Sequence, residues 1–235
     1  MERKDARKLI RSLSTAAIAV GALTLIHITL LLLGIQPAYF GLVPRDLLGL
    51  TGILTSPFVH ADWAHLLSNA GPLFVFIAAA LYFYRKAFLR ALPWMFFMTG
   101  IWVWVAGKSG PHIGASGIAY ALAAFLFFGG VFRRNTQNLA LSLVIAFFYG
   151  SMIWGVLPVQ PGVSWESHLF GAVSGLVLAW YFRKLGVPPR KKYFWEEEVD
   201  NPHEDKYAAW NYRENWSGAK QIIIPGESNY PPEQW

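Results

Sequence analysis

Cysteine is absent from this chain, which excludes disulfides, thiol nucleophiles and thiolate metal sites. Charge is scarce: Asp, Glu, Lys and Arg make up 14% of the 235 residues, where an ordinary soluble domain carries roughly 25%. With 54% hydrophobic residues, that scarcity excludes a soluble globular protein and leaves an all-α membrane protein. Acidic residues are missing from every long apolar run. Asp46, Asp62 and Glu166 fall in connections, so no buried carboxylate is expected. The first apolar run also lacks a clear small-residue cleavage site before Gln36 and reads as a retained helix.

What is present in quantity is apolar sequence of membrane-crossing length. Six spans are expected, over Ala16 to Leu33, Ala64 to Tyr84, Leu92 to Ala106, Ser116 to Phe132, Leu139 to Val156 and His168 to Phe182. Lys and Arg cluster at the N-terminus (Arg3, Lys4, Arg7, Lys8, Arg11), in alternate connections (Arg85, Lys86, Arg90; Arg133, Arg134) and on the C-terminal side (Arg183, Lys184, Arg190, Lys191, Lys192). The other three connections hold only Arg45 and Lys108. By the positive-inside rule both termini are expected in the cytoplasm, with Ser116 near the outer face. The net charge of +6 is then a topology signal, and no nucleic-acid partner is implied.

Residues 1–12 read as a basic cytoplasmic segment, 13–185 as the membrane domain and 186–235 as a polar tail. That tail carries six basic and nine acidic residues, a net −3 that leaves +9 on the rest, together with Trp195, Trp210, Trp216 and Trp235. In the first span His27 reads as a neutral histidine bonded to a neighbouring helix. Gly34 to Val59 is too apolar for a free loop and is expected to lie in the interface or fold partly back into the membrane. The third span reads as an aromatic scaffold with no inward polar group. The fifth, uncharged, reads as a lipid-facing or packing helix, leading to a loop from Pro158 to Ser167 that could act as a lid.

Chemistry concentrates in three places. Ile113 to Leu122 sets Ser116 among Gly114 and Gly117 at the head of an apolar helix, where little bulk hinders another helix from touching the hydroxyl. Tyr120 lies one turn deeper on the same face. His65 and Asn69 share one face of the second helix, and His60 stands on the loop before it, with Pro72 a turn below as a candidate kink. The sixth span begins with His168 and carries small residues at every fourth position: Ser167, Gly171, Gly175 and Ala179. If that stripe packs against the helix headed by Ser116, the same contact delivers His168 to the serine.

A serine needs a base to become a nucleophile, and neutral imidazole is the usual one. A developing oxyanion needs fixed donors, which the Ser116 N–H, His65 and the Asn69 amide supply. With no carboxylate at hand, the expected machinery is a Ser116–His168 dyad, oriented by Tyr120 and by packing. No cofactor is called for.

These residues resemble the rhomboid intramembrane serine proteases. The matches are His60, His65 and Asn69 in H-x4-H-x3-N; Gly114, Ser116 and Gly117 in G-x-S-G, followed by Tyr120; and His168, Gly171 and Gly175 in H-x2-G-x3-G. They fall in the second, fourth and sixth of six spans, and the resemblance covers about residues 10–185. It implies a six-transmembrane-helix rhomboid bundle with a polar C-terminal tail. It further implies Ser116 as nucleophile, His168 as general base, His65, Asn69 and the Ser116 backbone as oxyanion stabilisers, and Tyr120 packed on His168. The reaction implied is cleavage of a peptide bond within or beside the transmembrane segment of single-span membrane protein substrates in a lipid bilayer. The family often has a Trp-Arg pair in the first outer loop, where this chain reads Thr51-Gly52-Ile53-Leu54-Thr55. That departure bears on the loop's support of the site and leaves the dyad untouched.

Two other readings stand beside this one. A catalytically inactive rhomboid-like protein would bind membrane clients without cutting them; retention of both Ser116 and His168 argues against it. A metal-binding protein would use His60, His65, His112 and His168, but the spacing lacks H-E-x-x-H and no carboxylate is interleaved, so no metal is expected.

Overall fold

The computed structural model describes residues 3–159 and 162–187. The chain divides into two units, Met1–Val187 and Pro188–Trp235. The second, with the tail expected from the sequence, lies outside the described residues, as do Gln160 and Pro161 of the expected lid loop.

Among the described residues the secondary structure is helical: α1 (Arg3–Leu32), α2 (Gly52–Thr55), α3 (Trp63–Phe83), α4 (Arg85–Ala106), α5 (Ser116–Arg133), α6 (Thr136–Tyr149, continued as a 3₁₀ stretch over Gly150–Val156) and α7 (Trp165–Tyr181). Five stretches are long and apolar enough to cross a membrane by length and composition: α1, α3, α4, α5 and Thr136–Val156. The sixth expected span corresponds to α7, which is 17 residues long. The basic residues from Arg3 to Arg11 form the first turns of α1, since Arg, Lys, Ala and Leu are all good helix formers.

Local signals account for the helix starts that matter. Asp62 caps α3 by accepting the His65 N–H at 2.8 Å, and Asn135 caps α6 in the same way from Asn138, also at 2.8 Å. The helix runs on through Pro72, so the candidate kink does not interrupt it.

The centre of the bundle is the contact of α5 with α7, the most extensive pairing of elements. Gly171 faces the Gly117 carbonyl and Gly175 faces the Ala121 carbonyl, each so closely that a methyl group would collide with the backbone oxygen. The expected stripe of small residues therefore does pack against the helix headed by Ser116. Around it Phe76, Met95, Leu122, Phe125 and Leu126 form a fully buried core.

The third span departs from the expectation of an apolar scaffold. Thr99 on α4 is buried and its hydroxyl meets that of Ser174 on α7 at 3.0 Å, while Ser174 also donates to the Gly171 carbonyl at 2.8 Å. Threonine in an apolar run gives little sequence signal, but a buried hydroxyl needs a partner.

Gly34 to Val59 is packed rather than free. Short 3₁₀ turns and α2 fold it back, with α2 lying against α4. Gly52 abuts the Leu42 backbone and Gly100 abuts Ile53, which explains glycine at both places. Arg45 donates to the Gly107 carbonyl at 2.9 Å, and the Trp104 indole donates to the Asp46 carbonyl at 2.8 Å. Thr55 donates to the Phe40 carbonyl at 2.7 Å. Where the sequence lacks a Trp-Arg pair at 51–55, the loop is held by an arginine earlier in it and a tryptophan from α4.

The packing predicts opposite results at two glycines. Gly171→Ala should destabilise the protein by about 1–3 kcal/mol, because neither backbone can yield. Gly71→Ala, with nothing within 4 Å, should be neutral or stabilising by up to about 1 kcal/mol, as expected in a helix interior. Thermal unfolding in detergent would read both.

Candidate active site

Three elements converge at one end of the bundle. Ser116 is the first residue of α5, and the turn leading to it is fixed from two sides. His112 pairs with Leu42 by backbone hydrogen bonds of 2.9 and 2.8 Å, and the Gly114 N–H reaches the Ser56 carbonyl at 2.9 Å. Gly114 adopts φ +104°, a conformation that L side chains rarely adopt, and a side chain there would also strike the His65 ring. The Ser116 N–H begins the helix, so it has no intrahelical carbonyl to bond.

His65 and Asn69 stand on α3 one turn apart, as their spacing predicts. The Asn69 amide donates one hydrogen to the His65 carbonyl at 2.9 Å, which leaves its second hydrogen uncommitted by that bond. Both side chains flank Gly114. His60 is fully buried, its Nε2 accepts the Ala115 N–H at 3.4 Å, and its ring meets that of His65 edge-on at 5.2 Å. Here His60 braces the serine turn from behind.

His168 lies in the first turn of α7, three residues after the helix begins, and is buried. The Tyr120 ring stacks on the imidazole with centroids 4.2 Å apart and planes 7° from parallel. The imidazole Nδ1 meets the Gly155 carbonyl at 2.8 Å. A carbonyl only accepts, so Nδ1 carries the hydrogen and Nε2 is left with its lone pair. Tyr120 is held in turn by donation to the Met152 carbonyl at 2.8 Å. A Cβ on Gly155 would strike the Tyr120 hydroxyl, so glycine is required there.

Sequence reasoning expected packing and Tyr120 to orient the histidine. Tyr120 does so, but the carbonyls of Met152 and Gly155 were missed, because main-chain acceptors leave no mark in the residue pattern. The 3₁₀ end of α6, read from sequence as part of a lipid-facing or packing helix, supplies both. Glu166 also departs from expectation: it lies within α7, not in a loop, and is buried.

One cavity of about 800 Å³ is lined by Ser116, His168, His65, Asn69, Tyr120 and Met152, among others. The predicted residues are thus brought together: Ser116, His168, His65 and Asn69 face a single space, Tyr120 and His60 back it, and Gly117, Gly171 and Gly175 lie in the α5–α7 contact. His112 lies in the wall of this cavity, and both of its ring nitrogens are engaged. Its Nδ1 meets the Ser164 hydroxyl at 2.5 Å and its Nε2 the Lys108 carbonyl at 2.8 Å.

A family model described as the Rhomboid domain matches residues 48–185. Curated relatives include uncharacterized proteins of Mycobacterium bovis and Mycobacterium tuberculosis, each 36% identical over 64% of this chain and 65% of its own length. An uncharacterized protein of Mycobacterium leprae is 37% identical over 60% of this chain and 59% of its own length. The matched part therefore spans less than two thirds of these relatives.

Burial holds the His60 pKa down at about 4, with the neighbouring charges of His65 and then His27 acting in the same direction. An unfolded chain takes up that proton near 6.5, so His60 stabilises the fold above that pH and the contribution is lost as pH falls from 6.5 to about 4. The expected loss is about 3 kcal/mol. In His60→Asn this part of the pH dependence should vanish from unfolding curves recorded in detergent.

Proposed function

This chain belongs to the rhomboid family, and from that premise we propose that it is an intramembrane serine endopeptidase working through a Ser116–His168 dyad. The observation that carries the reading is the orientation of His168. With Nδ1–H given to the Gly155 carbonyl and the ring clamped on Tyr120, the nitrogen free to take a proton is Nε2, and His168 and Ser116 line the same cavity.

In this reading the substrate's scissile carbonyl sits in that cavity and Ser116 Oγ attacks it while Nε2 accepts the hydroxyl proton. The oxyanion is met by the Ser116 N–H, the remaining Asn69 amide hydrogen and the His65 ring. His168 then protonates the leaving amine, and water, activated by the same imidazole, releases the acyl group. The Gly155 carbonyl and Tyr120 do the orienting that a buried carboxylate does elsewhere.

The substrates are single-span membrane proteins, cut within or just outside the membrane segment. α7 is the sixth span, its 17 residues sheltered by α5 and α4 against a locally thinned bilayer. Both termini face the cytoplasm and the site end faces outward, following the Lys and Arg distribution. The bacterial source of the relatives supports a prokaryotic cell membrane.

Ser116→Ala and His168→Ala should each reduce cleavage of a labelled single-span substrate by at least about 10³-fold. Persistent binding with no cleavage even by the unaltered protein would favour the inactive client-binding alternative. Tyr120→Phe keeps the stack but loses the bond to Met152, and should lower kcat about fivefold. Because the base must be neutral, kcat/KM should drop about tenfold per unit once pH falls below the pKa, near ~6.5 for an ordinary imidazole. A rate flat across that limb would remove His168 from the role.

A further inference from the structure

Beside the main cavity lies a second one of about 390 Å³, and the two share a wall formed by Pro111, His112, Gly162, Val163 and Ser164. Its polar groups are unusual for the lining of a bundle end. Glu166 has a side chain only 4% exposed, and its Oε1 has no hydrogen-bond partner among the described residues. The buried indole N–H of Trp165 likewise has none. An acidic residue in the first turn of a helix is favourable for the helix alone, but that asks for exposure and not burial. A carboxylate removed from water needs a cation and hydrogen-bond donors.

The cation present is a poor fit. Lys108 Nζ stands 4.0 Å from Glu166 Oε1, at the limit of an ion pair, and its side chain is 70% exposed. The same ammonium lies 5.5 Å from the centre of the Trp165 ring. So Glu166 and Trp165 line one space together with Lys108, whose ammonium stands near both.

We propose that this second cavity is a subsite for a cationic side chain of the substrate, held by the Glu166 carboxylate and the Trp165 ring, with Lys108 in its place when no substrate is bound. The proposal rests on the protease reading, since the second cavity adjoins the one that Ser116 lines. A guanidinium suits the carboxylate better than an ammonium, because its planar fork donates two parallel hydrogen bonds.

The test uses the full chain in detergent and single-span substrates carrying Arg, Lys, Gln or Glu, one position at a time, on the outer flank of the scissile bond. At one position kcat/KM for Arg should exceed that for Gln by about tenfold, with Lys between them and Glu below both. Glu166→Gln should bring the Arg/Gln ratio close to one. Lys108→Met removes the internal competitor and should raise it. Because both substrates meet the same preparation, any general loss of activity cancels in the ratio. The subsite is refuted if no position prefers Arg in the wild-type protein, or if the preference survives Glu166→Gln. Should that variant not fold, an unchanged or lowered ratio in Lys108→Met refutes it as well. Cleavage of every substrate by Ser116→Ala would instead sink the protease reading, a distinguishable result.

Discussion

Everything at the site depends on how closely α5 and α7 approach. Within lipid there is no hydrophobic gain in joining two apolar helices, so van der Waals contact and interhelical hydrogen bonds must hold them. Gly171 and Gly175 allow α7 to rest on the main chain of α5 at Gly117 and Ala121, without side chains between. Thr99 and Ser174 add a polar tie from α4 to the same helix. The serine is the first residue of one of these helices and the histidine sits in the first turn of the other, so packing along the bundle sets the geometry at its end.

The second dependence is on the imidazole itself. A histidine can be aimed by a carboxylate, which also stabilises the charged ring, or by a neutral acceptor, which only fixes the tautomer and the tilt. Here it is the latter, a carbonyl from the 3₁₀ end of α6 together with a parallel aromatic ring. Placing an ionised acid beside the buried imidazole would itself require compensation. A carbonyl avoids that requirement.

The residues that carried most of this architecture were readable because their spacing encodes direction. His65 and Asn69, four apart, had to share a face; Ser167, Gly171, Gly175 and Ala179, also four apart, had to form a seam. Ser116 followed by Tyr120 placed a ring under the site. What could not be read was of two kinds. Main-chain partners, such as the carbonyls of Met152 and Gly155, depend on where distant backbone lies and not on residue type. Side chains whose burial contradicts their type, Thr99 and Glu166, sit where tertiary contacts override the average preference. The loop over 34–59 belongs to the first kind, since Arg45 and Trp104 bind each other's segments through backbone oxygens.

The groups that aim the imidazole have a consequence for how the protein would look to genetics. Met152 and Gly155 act through oxygens that every amino acid possesses, so exchanging the methionine side chain leaves its acceptor where it was. A scan replacing one residue at a time with alanine would report only the packing of the Met152 side chain, not its carbonyl, and reveal Gly155 only as a steric clash. Part of this machinery is thus written in the path of the backbone, where a catalogue of single substitutions does not reach.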